Sequence, residues 1–447
     1  MKQQRYLWLA VCLTAALIHI STNAQTLLQS GPMVGAVQMR EAKLWAQTTA
    51  PARVHFMYYD SATPARRYTT DTVRTEKLAG FTATCIADSV LPGRTYFYEL
   101  HINGKRVQRP YPMRFRTPAN WLYRTQPPAL RFALGSCTYI NDEPYDRSGK
   151  PYGGDYGIFT AIARTKPDLM LWLGDNTYLR PADEDTRTGI FHRYTHTRSL
   201  PEMQPLLAAC SNIAIWDDHD YGPNDSDRGF AGKDETRRAF TRFWANPSYG
   251  IGERGGITSM FSTGDMDIFL LDNRWYRSPD GRKGGERTIL GKEQFDWLID
   301  NLVSSNATFK LVCIGGQVLN SAALYENYAT YPAERSALID AIHKENIRGV
   351  IFLTGDRHHT ELSLLKQAGE FPIYDFTVSP LTSGPNEKAA TEANSLRVDG
   401  TFVGKRNFAT IDVAGEQGKR MLTLTVYDSA GVMLWTREIS AESLKQK

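Results

Sequence analysis

The chain has 447 residues, 42% apolar and 22% charged, with 9 Trp, 22 Tyr and 19 Phe. That composition excludes wholesale disorder and fibrous or collagen-like repeats. A formal net charge of +4 shows no concentrated basic excess, so no nucleic-acid-binding patch is evident from composition. The length predicts two or three domains.

Lys2 and Arg5 precede an apolar run from Leu7 to Ile20, and Thr22-Asn23-Ala24 offers small residues before a cut after Ala24. This is the pattern of a secretory signal peptide, and the run is too short for a comfortable membrane span. The expectation is an exported protein, in the periplasm, on the cell surface or in the medium, with residues 1–24 removed. No transmembrane segment is expected in the mature chain. Removal of Lys2 and Arg5 leaves a charge of +2. Cys85, Cys137, Cys210 and Cys313 are too few for a disulfide scaffold, and Cys85, Cys210 and Cys313 read as structural.

Residues 25–120 read as an all-β domain without chemistry. Val54–Tyr59 and Tyr96–Leu100 have strand composition, with turn signals at Pro92-Gly93 and Asn103-Gly104. The stretch from Leu91 to Leu100 resembles the tyrosine corner of fibronectin type III-like sandwiches, with Trp45 as the candidate core Trp. Asn120 to Pro128 reads as a linker. From residue 129 to 447 short apolar runs alternate with helix-like segments, which predicts an α/β layered catalytic domain. The helices are expected at Lys233–Trp244, Lys292–Leu302 and from Pro332 to His343. A C-terminal hairpin, Leu422–Tyr427 and Val432–Thr436, is expected to join its sheet.

Six apolar runs each stop at a polar cluster. Leu130–Leu134 ends in Gly135-Ser136-Cys137, and Leu169–Leu173 ends in Gly174-Asp175-Asn176-Thr177-Tyr178. Ile213–Trp216 ends in Asp217-Asp218-His219-Asp220, and Ile268–Leu271 ends in Asp272-Asn273-Arg274. Leu311–Ile314 runs into Gly315-Gly316-Gln317, and Val350–Leu353 into Gly355-Asp356-Arg357-His358-His359. Ligand sites of α/β sheets lie beyond the carboxyl ends of strands, so six such loops point to one site.

The chemistry of these clusters is that of a metal site. Asp175, Asp218, Asp356 and His358 are oxygen and nitrogen ligand types, and Cys137 offers a thiolate. Tyr178, three residues after Asp175, can share an ion with it. Phenolate with thiolate suggests a strongly acidic redox metal such as ferric iron. Carboxylates with an Asn suit Ca²⁺, Mg²⁺ or Mn²⁺. A bridging Asp175 would serve a two-metal phosphoryl hydrolysis, with Arg274 and Arg357 clamping phosphoryl oxygens. Each residue has a plainer reading. Cys137 and Tyr178 alone would be packing residues, and Asp217 or Asp220 a turn or helix cap. Arg274 would only pair with Asp272, His359 would be a packed partner, and His192 and His196 surface or lid residues.

Taken together, Phe132–Cys137, Leu173–Tyr178, Trp216–Asp220, Leu271–Arg274 and Thr354–His359 resemble the motifs of the PhoD-type alkaline phosphatase/phosphodiesterase family, a branch of the calcineurin-like metallophosphoesterases. The resemblance implies a metallophosphoesterase domain behind a small β-sandwich, and an active centre of Fe³⁺ with Ca²⁺. Carried over residue by residue, it implies Cys137, Asp175, Tyr178 and His358 at the iron, with Asp175 bridging. It implies Asp356 with either Asp218 or Asn224 at the calcium, and His219 as donor to the transition state. Asp356 stands where the superfamily carries a His, an exchange that favours a harder metal. The implied reaction is in-line attack of a metal-bound hydroxide or oxide on phosphomonoesters or diesters, from small-molecule or lipid-derived substrates. Two alternatives stand beside it. One is a Zn²⁺ or Mn²⁺ phosphodiesterase with Cys137 and Tyr178 structural. The other is a non-catalytic surface-binding protein, which gives no reason to retain buried, unpaired charges.

Overall fold

The computed structural model describes residues 24–252 and 254–446. All but the last residue of the expected signal peptide lies outside the described residues; Ala24 itself is buried.

The six strand expectations from Leu130 onward correspond to observed strands, but they divide between two sheets. Leu130–Gly135, Leu169–Leu173 and Ser211–Ile215 are parallel neighbours at the centre of a nine-stranded sheet. Met266–Leu270, Phe309–Cys313 and Val350–Thr354 are parallel neighbours in a six-stranded sheet. These runs of Leu, Ile, Val and Phe are buried on both faces, which is what parallel strands require.

Alternation along each strand decides which layer a side chain joins. Ile268 and Leu270 face the central core with Phe132 and Leu134. Phe269 and Leu271 face outward, where Leu298, Leu302, Leu338 and Ile342 cover them. Those four come from the helices Gly291–Ser304 and Pro332–Lys344, close to the expected ones. Lys233–Phe243 is the third expected helix, and it buries Thr236, Ala239, Phe240 and Phe243 along one face. The expected hairpin forms as Met421–Asp428 and Met433–Ser440, and it extends the nine-stranded sheet through Asn407–Ala414 next to Leu130–Gly135.

The N-terminal region departs from a self-contained sandwich. Its strands Leu28–Val37, Ala42–Thr48 and Thr82–Ala87 form the far end of the nine-stranded sheet, joined by parallel pairing of Val34 with Ser211. A separate six-stranded sheet, centred on Arg53–Asp60 and Thr95–Ile102, packs on that end. Leu44, Ala46 and Cys85 meet Phe56, Tyr98 and Leu100 in a shared core. One layer of the two-sheet pack is therefore continuous with the catalytic sheet. Tyr96 does accept a hydrogen bond at its hydroxyl from the Leu91 N–H, at 2.8 Å, the interaction a tyrosine corner makes. Trp45 is not the core Trp of that pack. Strand alternation turns it to the opposite face, where it lies against Phe243 and donates from Nε1 to the Arg242 carbonyl. All four described cysteines are buried and free.

Candidate metal centre

Both large sheets deliver their carboxyl ends to one place. Close approach of the two sheets is set by glycine at the strand ends. A Cβ at Gly315 would stand 2.2 Å from Asp217 Oδ2, and one at Gly355 would stand 2.6 Å from the Leu173 carbonyl oxygen. Four of the expected ligands, Cys137, Asp175, Asp356 and His358, have left-handed backbones with φ of 60°, 51°, 65° and 55°. Non-glycine residues pay for that conformation and keep it where surrounding structure imposes it, as functional sites do.

One cluster contains Cys137, Asp175, Tyr178 and His358. Cys137 Sγ lies 3.6 Å from Asp175 Oδ2, and the Tyr178 hydroxyl is 3.1 Å from the same oxygen and 3.2 Å from His358 Nε2. His358 donates from Nδ1 to the Gly384 carbonyl at 2.7 Å, which leaves Nε2 facing the cluster as an acceptor. Burial lowers the His358 pKa to about 4, so the imidazole is neutral and available as a ligand at neutral pH. Burial, with the neighbouring acids, pushes the Cys137 thiol and the Tyr178 phenol well above their usual ranges.

The second cluster is acidic. Ligand atoms of Asp175, Asp218 and His219 converge, as do those of Asp217, Asp218 and Asp356. Burial and then mutual repulsion hold the Asp175 and Asp356 carboxyls well above the carboxylate range. Asp217 Oδ2 and Asp218 Oδ1 are buried without a hydrogen-bond partner among the described residues. Buried carboxylate oxygens without donors carry a large desolvation cost that a bound cation removes. A thiol, a phenol, an imidazole and a carboxyl in one cluster, with orphaned carboxylate oxygens in the next, are donors that bound metal ions would deprotonate and use.

A cavity of about 630 Å³ opens over both clusters. Asp175, Asp218, His219, Asp356 and His358 line it from below, and Asn224, exposed, stands at its edge. His219 packs against Tyr178 with ring centroids 4.2 Å apart and planes tilted by 31°, and its backbone N–H donates to Asp175 Oδ1. Asp218 Oδ2 accepts from the Asp225 N–H at 2.8 Å. Arg357 also lines the cavity, but Nη1 donates to Gln317 and Asn327 and Nη2 to Glu392.

The expected clamp by Arg274 does not match its placement. Its guanidinium is buried, Nε donates to Asp217 at 2.5 Å, and Nη1 and Nη2 take both oxygens of Glu326 at 2.6 and 2.7 Å. It does not line the cavity. His192 and His196 also stand outside it; His192 Nε2 is 3.4 Å from Asp142. Asp217 caps the short helix Asp218–Tyr221 in a capping box with Asp220, so the helix-cap reading holds for both.

Sequence reasoning missed a seventh strand end. Ile373–Thr377 runs into Val378–Gly384, and Ser379 Oγ donates to Cys137 Sγ at 3.1 Å. Ser383 Oγ lies 3.0 Å from the Tyr178 hydroxyl, and Gly384 holds His358. The signal was a hydroxyl-rich loop directly after an apolar run. Tyr152 also lines the cavity, with its hydroxyl 3.1 Å from His358 Nδ1.

A family model, PhoD-like phosphatase, matches residues 132–425, and a domain of unknown function (DUF7800) matches residues 25–120. A curated relative, alkaline phosphatase D of Bacillus subtilis (strain 168), is 26% identical over 362 residues, 67% of this chain. The match spans 58% of that relative's length. A solved structure of PhoD superposes with a TM-score of 0.75 at 19% identity, covering 93% of this chain and 92% of the other. Purple acid phosphatase PPD1 from yellow lupin (Lupinus luteus) seeds gives 0.69 at 13% identity, covering 93% and 75%. The latter two are likenesses of fold. With a family model matching across all six polar strand ends, the chain belongs to the PhoD-like phosphatase family.

Proposed function

We propose that the protein is a metal-dependent phosphoric ester hydrolase, acting on phosphomonoesters or phosphodiesters of small or lipid-derived alcohols. The observation that carries this reading is the convergence of Cys137, Asp175, Tyr178 and His358 beside Asp218 and Asp356 under one cavity. In this reading Cys137, Asp175, Tyr178 and His358 would hold Fe³⁺, and Asp356 with Asp218 or Asn224, both of which line the cavity, would hold Ca²⁺. The ions, when bound, supply Lewis acidity and lower the pKa of the attacking water.

The protein's own groups then bind and orient. The cavity floor is strongly acidic, so a phosphate ester enters only once those carboxylates are neutralised. His219, held by its backbone bond to Asp175 and by Tyr178, presents its ring to the cavity and donates to a phosphoryl or leaving-group oxygen. Burial lowers the His219 pKa, so it acts as a neutral N–H donor at alkaline pH. Arg357 stands at the wall with its charge paired to Glu392. We also propose export, on the basic start and apolar run at residues 2–20; N-terminal sequencing of secreted material tests it.

The test of function is elemental analysis of protein purified without chelators, together with a screen of aryl monoester and diester phosphates. Iron and calcium with hydrolysis support the reading. Hydrolysis by a colourless zinc or manganese protein would favour structural roles for Cys137 and Tyr178, and absence of both metals and activity would refute it.

A further inference from the structure

The chain's near-neutral total hides a division of charge. Residues 25–120 hold 13 Lys and Arg against 6 Asp and Glu, a net +7. Residues 121–447 hold 37 against 42, a net −5.

Much of the positive charge lies on one face of the smaller N-terminal sheet. Its inner face is apolar, with Val54, Phe56, Tyr98 and Leu100 in the core. Alternation puts Arg53, Arg67, Arg74, Arg106, Arg114 and Arg116 in the outer-face register; the acids beside them are Glu99 and, at the edge strand where Arg114 and Arg116 border Cys210, Asp168, 4.0 Å from Arg116. Arg67 and Arg106 each lie 3.3 Å from Glu99. Arg53, Arg74 and Arg114 have no carboxylate partner among the described residues, and Arg53 stands directly opposite Arg74 in the ladder. Like charges directly opposite are destabilising in a sheet, so folding does not account for this pair.

Aromatic rings interleave with these charges. Arg67, Tyr59, Phe97 and Arg114 form one continuous row across four strands. The Tyr59 and Phe97 ring centroids are 6.0 Å apart, and the Arg67 guanidinium stands 4.6 Å over the Tyr59 ring. A parallel row holds His55 stacked on His101 at 4.9 Å, next to Arg106. Same-face residues repeat about every 7 Å along a strand, so the rows from Arg53 to Tyr59 span about 20 Å.

We propose that this sheet face binds single-stranded nucleic acid, with the guanidiniums on successive phosphates and the Tyr59–Phe97 row against bases. Arginine forks suit phosphate oxygens, and an aromatic row on an open sheet is a stacking platform for unpaired bases. A lipid surface fits less well, because none of the exposed large apolar side chains lies on this face. The inference stands on the sheet face alone and is independent of the proposed hydrolysis.

Fluorescence anisotropy of a labelled oligothymidylate of about 20 nucleotides, titrated with the full-length protein, tests it. Binding that engages about four phosphates should weaken about 50-fold between about 50 and about 200 mM salt. Arg53→Gln with Arg74→Gln and Arg114→Gln should weaken it at least about tenfold and reduce the salt slope by about 2. Tyr59→Ala with Phe97→Ala should cost about tenfold on the oligonucleotide and leave inorganic polyphosphate unaffected. Unchanged melting temperatures would show that the substitutions, at exposed Arg53 and Arg74 and half-buried Tyr59, Phe97 and Arg114, spare the fold. The inference fails if there is no binding at the lower salt, or if the arginine variant binds as tightly as the parent. It also fails if the aromatic variant loses polyphosphate equally, or if anionic vesicles or self-association take the place of the oligonucleotide.

Discussion

Two groups of buried charge lie side by side in this molecule and solve the same problem differently. Around Arg274, one guanidinium is enclosed by Asp217 and Glu326, and Arg277 adds a second contact to Glu326 at 2.9 Å. That network carries most of its own compensation. Around Asp175, a thiol, a phenol and carboxyls converge with no guanidinium or ammonium paired to Asp175 or Asp356 among the described residues; Asp217 and Asp218 stand between the two groups, with Arg274 3.8 Å from Asp218 and one oxygen of each acid left without a hydrogen bond. A folded chain keeps paired charges for architecture, and it keeps unpaired ones where something else supplies the opposite charge. Spacing in the sequence put Arg274 and Asp175 in the same category. Their partners put them in different ones.

The largest expected effect breaks the paired side. Arg274→Ala leaves Asp217 buried without its guanidinium and Glu326 with Arg277 alone, and it should cost about 3–5 kcal/mol in denaturant unfolding. If Arg274 were instead a phosphoryl clamp, the variant would unfold like the parent and lose only substrate affinity. Next in size is Cys137→Ala, which removes a ligand from the unpaired side. It should abolish bound iron and reduce hydrolysis by at least about a hundredfold while far-UV circular dichroism stays native. Full activity in this variant would sink the iron assignment.

Chelation should separate the two groups by pH. The Asp175 and Asp356 carboxyls are held above their unfolded values by burial and by neighbouring acids. A raised folded pKa means stability that is present under acid conditions and lost as pH rises through it. Chelated protein should therefore melt progressively lower as pH rises above the ordinary carboxylate range toward the raised folded values. Restoring metal should flatten the profile, and a flat profile without metal would mean that these acids are compensated internally.

The smallest effect concerns the ligands' support. Ser383→Ala removes the hydroxyl beside Tyr178, and it should shift a tyrosinate-to-iron absorption band to longer wavelength with about a tenfold loss of activity at most. Ser383→Thr, which keeps the hydroxyl, should restore both. An unmoved band in the alanine variant would leave Ser383 with packing alone.

Much of this was legible in the sequence because local rules govern it. Apolar runs ending in Asp, His or Cys mark parallel strands with a site at their carboxyl ends, and the Pro332 and Lys233 helices announced themselves by first-turn chemistry. What stayed hidden depends on pairing across long separations. Nothing near Val34 foretells its parallel pairing with Ser211, so the N-terminal strands read as a separate sandwich. Trp45 was assigned to the wrong core because strand alternation fixes relative faces and leaves open which sheet covers each. The Val378–Gly384 loop carries no ligand-type residue; hydroxyls after an apolar run are its one sequence signal, and they do not say that it holds Cys137, Tyr178 and His358. The basic sheet face was masked by summing charge over a chain whose two parts oppose each other.

The most direct test of the two-metal account is iron stoichiometry with the visible spectrum, measured on the parent and on Tyr178→Phe. The account predicts a coloured parent that contains iron, and loss of the colour when the phenol oxygen is removed. An iron-free, colourless parent that still hydrolyses phosphate esters would contradict it.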